Sequence, residues 1–180
     1  TYSAELKEDA ENPCVGIVFA TTPLDGDVAS NYGSEYTAIK GYVVALESAP
    51  TNTRLEFCAK GSDIDFTGME LNKTGYENTK AFFADERYTN NTDKYPVIEK
   101  YLAFKTNTPT PEKSSGWYIP SINQLKEMTI GYYGFEETAK NETFVNAINA
   151  IEGANLFVHT TTSARYLLSS SVSNKSISPI

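Results

Sequence analysis

His159 is the only histidine in the chain, so any Ser-His-Asp or Cys-His constellation, which needs an imidazole to take up and return a proton, must pass through it. It follows Leu156, Phe157 and Val158 in an apolar, strand-like run. That company favours a satisfied or surface histidine over a catalytic base. Catalytic zinc commonly takes three side-chain ligands, and one histidine with Cys14 and Cys58, 44 positions apart, makes no recognisable set. The cysteines also lack a C-x-x-C spacing, so neither a zinc knuckle nor a thioredoxin-like redox pair is supported. A single disulfide and two free thiols both remain open.

Carboxylates offer the next chemistry. Asp25 with Asp27, and Asp63 with Asp65, put hard oxygen donors in glycine-containing loops, which is where calcium would be held. Neither pair completes an EF-hand loop, and solvated turn residues are the simpler reading. Glu136 with Glu137 and Asp85 with Glu86 are adjacent acids, whereas glycoside hydrolysis needs two carboxyls facing one bond across about 5 to 9.5 Å. Neighbours on a helix point apart, so these pairs read as solvated faces. No catalytic set assembles, and neither metal nor cofactor is expected.

Recognition chemistry is better represented. Tyr132 and Tyr133 sit between Gly131 and Gly134, and Thr160, Thr161, Thr162 and Ser163 precede Arg165 and Tyr166. Tyrosine among small polar neighbours offers rigid contact area with adaptable hydrogen bonding. Tyr132, Tyr133, Arg165 and Tyr166 are therefore the candidate ligand-binding residues, set against ordinary loop composition in a tyrosine-rich chain.

The elements that must carry these groups follow from patterning. At 180 residues one domain is expected, residues 15–180 after an acidic N-terminal extension at 1–14. Fifteen basic against 23 acidic side chains leave a net charge of -8, and only three of the cations are arginine. Such a surface repels phosphate backbones, which argues against nucleic acid. No apolar run approaches the roughly 20 residues of a membrane span, and the first ten residues lack the pattern of a signal peptide. Serine, threonine and asparagine fill 49 positions beside twelve tyrosines, a surface that suits extracellular life.

Cys14 to Ala20 and Tyr42 to Leu46 are apolar, β-branched runs that predict two paired strands, with a further short strand around Leu55 and Phe57. Helices are predicted over 78–87, after Pro96 through Leu102, from Ser121 to about Gly131, and over 142–151, with an irregular connection at 106–115. The third is the best signalled. Ser121 can cap the first-turn amides while Gln124 reaches back, and Ile122, Leu125 and Met128 form an apolar stripe. Leu156 to His159 and Tyr166 to Ser170 read as two late strands. Strands flanking a helical middle define an α+β chain with short helices packed beside a mostly antiparallel sheet. Trp117, just before an x-Pro-Ser helix start, is suited to wedge its ring between sheet and helix while Pro120 fixes the approach. A sugar-stacking platform is the alternative for that ring.

The run Gly116, Trp117, Tyr118, Ile119, Pro120, Ser121, followed by Gln124 and Leu125, resembles the G-W-x-L-P-S-x-x-E-L signature of the Lcl C-terminal-like domains of bacterial surface proteins. Gly16 to Phe19, Gly41 to Leu46 and Gly75 to Thr79 resemble that family's G-x-V-F strand, its second strand and its G-x-x-N-T helix start, in the expected order. Tyr166 to Ser171 resembles its Y-W-S-S-S strand, with Leu167 in place of tryptophan. The resemblance implies a variant of the C-type-lectin-like fold. It also implies a closing R-x-V-R-like strand that Val172 to Ile180 do not supply, so the domain is expected to lack its last strand.

The Glu-Pro-Asn, Gln-Pro-Asp and Trp-Asn-Asp triplets of calcium-dependent lectins are missing, so the lectin sugar site does not carry over. Formylglycine-generating enzymes use reactive cysteines near the chain's end, whereas Cys14 and Cys58 lie in its first third. The expectation is thus a non-enzymatic cell-surface or secreted bacterial recognition domain, a lipoprotein or adhesin module that is peripheral or lipid-anchored rather than membrane-spanning. It would bind a glycan or protein ligand through loops. The alternative is a structural or assembly subunit of the envelope or of a fimbria-like polymer, whose open sheet edge accepts a neighbour's strand.

Overall fold

A computed structural model describes residues 14–24, 26–47, 59, 74–128 and 139–151. The first strand, β1 (Gly16–Ala20), pairs antiparallel with β2 (Tyr42–Ala45), Gly16 opposite Ala45 and Val18 opposite Val43. The ladder is irregular between Val18 and Ala20, where Phe19 is the extra residue. Strict alternation would send Phe19 and Ala20 to opposite faces, and the bulge instead lets both be buried.

Five helices follow among the described residues: α1 (Gly75–Ala84), α2 (Glu86–Thr89), α3 (Pro96–Asn107), α4 (Ile122–Met128) and α5 (Ala139–Asn149). The combination is α+β, a small antiparallel sheet with helices packed beside it. The expected helix over 78–87 begins earlier and is broken. Thr74 starts it with a reciprocal capping box, its Oγ1 accepting from the Glu77 amide at 3.2 Å while its own amide donates to Glu77 Oε2 at 3.4 Å. At Asp85 the backbone turns extended, and the Asp85 carboxylate accepts the Arg87 amide at 2.9 Å to cap α2. Asp85 also meets the Arg87 guanidinium. The Asp85–Glu86 pair is therefore a helix junction, with its first acid engaged rather than merely solvated.

Pro96 opens α3 as its fixed φ and missing N–H suit. The helix continues to Asn107, into the stretch expected to be irregular from residue 106. The last described helix starts three residues before the expected 142 and ends two before 151.

Two apolar clusters hold these elements. Phe19, Tyr42, Leu125, Phe144, Val145 and Ile148 join the sheet to α4 and α5, with Phe19 meeting Phe144 edge-on. Phe82, Tyr88, Tyr95, Val97, Ile98 and Ile119 join the first three helices to the segment before α4. Full burial of an aliphatic side chain such as Leu125 or Ile98 stabilises by about 1.5–3 kcal/mol relative to exposure. Among the described residues no helix is long and apolar enough to cross a membrane. The strands expected around residues 55–57, 156–159 and 166–170 lie outside the described residues.

Candidate functional site

The polar side chains with the most organised surroundings converge on residues 116–124, which run between the two clusters. Gly116 has a positive φ of 83°, a conformation that side-chain-bearing residues rarely adopt. The turn delivers Trp117, half-buried, between α3 and β1. Its Nε1–H donates to the Thr108 carbonyl at 2.6 Å, and its ring meets Phe104 edge-on, centroids 5.8 Å apart. The far edge of the indole lies 3.3 Å from where a Cβ on Gly16 would stand. Gly16 therefore gives the ring its seat, and the indole touches both helix and strand. The Tyr101 hydroxyl donates to the Trp117 carbonyl at 2.5 Å.

The chain next passes α1. Thr79 Oγ1 accepts from the Ile119 amide at 2.9 Å and donates to the Ile119 carbonyl at 3.4 Å, satisfying both backbone groups of a buried residue. After Pro120, Ser121 Oγ accepts the Gln124 amide at 3.3 Å and Gln124 Oε1 accepts the Ser121 amide at 3.0 Å. This is the reciprocal cap that the Ser-x-x-Gln spacing implies.

The same Oε1 does more than the spacing implies. It also accepts the Gly75 amide at 3.1 Å, so one side chain joins the starts of α1 and α4. A Cβ on Gly75 would overlap the Ile119 carbonyl oxygen and stand 2.6 Å from Gln124 Oε1 and 2.7 Å from the Ser121 nitrogen. Only glycine allows this approach. Gln124 Nε2 donates to the Tyr118 hydroxyl at 3.0 Å.

Tyr118 leads into a second polar centre. Asp27 is only 8% exposed, and its Oδ2 accepts from the Tyr32 hydroxyl at 2.6 Å and the Tyr42 hydroxyl at 2.5 Å. Its Oδ1 accepts from Asn31 Nδ2 at 3.1 Å. The Tyr42 hydroxyl in turn accepts the Leu24 amide at 3.1 Å. Around these bonds the rings of Tyr32, Tyr76 and Tyr118 pack together, with centroids 5.1 to 6.2 Å apart. Both lone pairs of Oδ2 are engaged, which makes the carboxylate a fastener of the 24–42 segment rather than a base. Asp27 thus departs from the reading of a solvated turn residue and equally from that of a calcium ligand. Among the described residues no group of three or more His, Cys, Asp or Glu is placed to hold a metal ion.

Burial pushes the Tyr118 phenol up to about 12, the Asp27 charge adding to it while hydrogen bonds to Tyr32 and Gln124 oppose it. Burial likewise raises Tyr101 to about 12, and it raises Tyr32 and Tyr42, helped by Asp27, further still. An acid whose folded pKa exceeds its unfolded value contributes stability that is whole below the unfolded value, about 10 for tyrosine, and is lost as pH rises through the folded one. Urea unfolding should therefore show little tyrosine-linked change up to about pH 10 and a steep fall above it. The phenolate absorbance should rise in two phases, the later one coinciding with unfolding. A single early phase in a protein that stays folded would contradict this.

Of the residues singled out by sequence, Gly116, Trp117, Pro120 and Ser121 form one continuous structure in which Trp117 and Ser121 are both engaged. Cys14 is exposed, unbonded to another sulfur, and its thiol donates to the Gly16 carbonyl at 3.4 Å. Tyr132, Tyr133, Arg165 and Tyr166 lie outside the described residues, as do His159, Cys58, Asp25, Asp63, Asp65, Glu136 and Glu137. Sequence reasoning missed Asp27 with Tyr32 and Tyr42, and the Gly75 and Thr79 contacts. The Thr74-x-x-Glu77 spacing was a usable signal for the α1 start. Comparison with family models, with curated proteins and with solved structures finds no match to the chain.

Proposed function

We propose that this chain is a non-enzymatic recognition domain of the bacterial cell surface or secreted space, holding a glycan or protein ligand on loops over a C-type-lectin-like scaffold. The observation that carries the proposal is the use made of the polar side chains between β1 and α4. Asp27, Tyr32, Tyr42, Thr79, Ser121 and Gln124 bond to one another and to backbone groups, fastening segments together. Groups so engaged brace a framework and are not poised for proton transfer. A braced framework suits recognition, because loops fixed at their ends lose less freedom on binding. The ordered resemblance of its motifs to those of Lcl C-terminal-like domains supports the same reading, and Tyr132 and Tyr133 fall in the sequence after α4 and before α5.

The test is a glycan array and a surface-protein pull-down with the full chain, repeated on the Tyr132→Ala, Tyr133→Ala double variant. A specific ligand is expected, with affinity reduced about tenfold or more in the variant, as for removal of aromatic anchors. Absence of any specific ligand, or undiminished binding by the variant, would count against it.

A further inference from the structure

Helix α1 buries Gly75, Asn78, Thr79 and Phe82, and of these Gly75 and Thr79 bond to the segment leading into α4. The polar groups of these residues are matched with one exception. Gly75 donates to Gln124, and Thr79 serves both backbone groups of Ile119. Asn78 is fully buried at 0% exposure, and its Oδ1 and Nδ2 are the buried side-chain atoms without a hydrogen-bond partner among the described residues. Leaving a donor and an acceptor dry at such depth costs their whole hydration, where an aliphatic residue would have cost nothing. Buried polar groups of this kind are ordinarily completed by internal water, which needs two to four polar partners.

We infer that Asn78 anchors a sequestered water molecule on the buried face of α1. The side chain supplies two complementary partners, Oδ1 to accept a water proton and Nδ2 to donate to the water oxygen. The inference is independent of the recognition reading, since it concerns how the framework closes.

The experiment is a high-resolution crystal structure of the full chain and of two variants. Asn78→Ser keeps a hydroxyl able to hold water, and Asn78→Val removes both polar atoms at modest change of size. A solvent peak within hydrogen-bond reach of Oδ1 and Nδ2 in the natural chain, kept in Asn78→Ser and lost in Asn78→Val, is the expected result. A dry site, an amide bonded directly to protein, or a peak that persists in Asn78→Val would each overturn it. Should a variant fail to fold, water-to-amide cross-relaxation at the Asn78 Nδ2 protons of the natural chain decides the matter. A long-lived water signal supports the inference, and no signal refutes it.

Discussion

Asp27→Ala is expected to lower stability by about 3 kcal/mol or more, as read from urea midpoints at unchanged m-value. The loss has two parts. The buried hydroxyls of Tyr32 and Tyr42, the latter only 3% exposed, lose the acceptor they share, and each orphaned donor costs about 1–3 kcal/mol. Asn31 also loses its anchor, which loosens the short 3-10 turn Ala29–Asn31 that shapes the loop between the strands. Against a whole-domain stability of about 5–15 kcal/mol this is a large fraction.

Asp27→Asn separates charge from geometry. A carbonyl in the place of Oδ2 can still accept both phenols, and Asn31 can turn its own amide to accept from the new NH2, so about 1–2 kcal/mol should be lost. An apolar replacement made together with Tyr32→Phe and Tyr42→Phe should recover part of the alanine deficit, because no buried donor is then left hanging. The Leu24 amide, which donates to Tyr42, limits that recovery. An alanine variant within about 0.5 kcal/mol of the natural chain would show that the network holds nothing.

The elements legible in the sequence are those whose signals are local. The strands announce themselves through β-branched runs, α3 through Pro96, and α4 through the Ser121–Gln124 spacing and its stripe. Where local signals compete, the reading shifts. Asp85 sits inside a run without helix breakers, yet its short carboxylate captures the Arg87 amide and divides the helix in two. The bulge at Phe19 escapes a period-two reading because nothing in the strand sequence marks it.

The site was legible in proportion to how local its bonds are. Gln124 bonding to Ser121, three residues away, is a pattern, whereas its bond to Gly75, 49 residues away, is a consequence of packing. Asp27 with Tyr42 belongs to the second kind, since no periodicity pairs a loop acid with a strand tyrosine.

Gln124→Ala is the other change expected to cost most, about 3–5 kcal/mol, because one oxygen completes two helix starts. Without it the buried amides of Gly75 and Ser121 both lose their acceptor, and the Tyr118 hydroxyl loses a donor. Ser121→Ala is the internal comparison. It removes only the acceptor of the Gln124 amide, a cap loss of about 1 kcal/mol.

The excess of the Gln124 loss over the Ser121 loss measures the bond that no local pattern contains. Hydrogen exchange should localise it, with the Gly75 amide deprotected in Gln124→Ala and still protected in Ser121→Ala. Gln124→Glu should fall between the two, since glutamate is a natural partner in such a cap and an anion suits a helix N-terminus, whereas a nearly buried charge resists desolvation. Equal losses for the two alanine variants, with Gly75 exchange unchanged in both, would mean that α1 and α4 are held together by apolar packing alone.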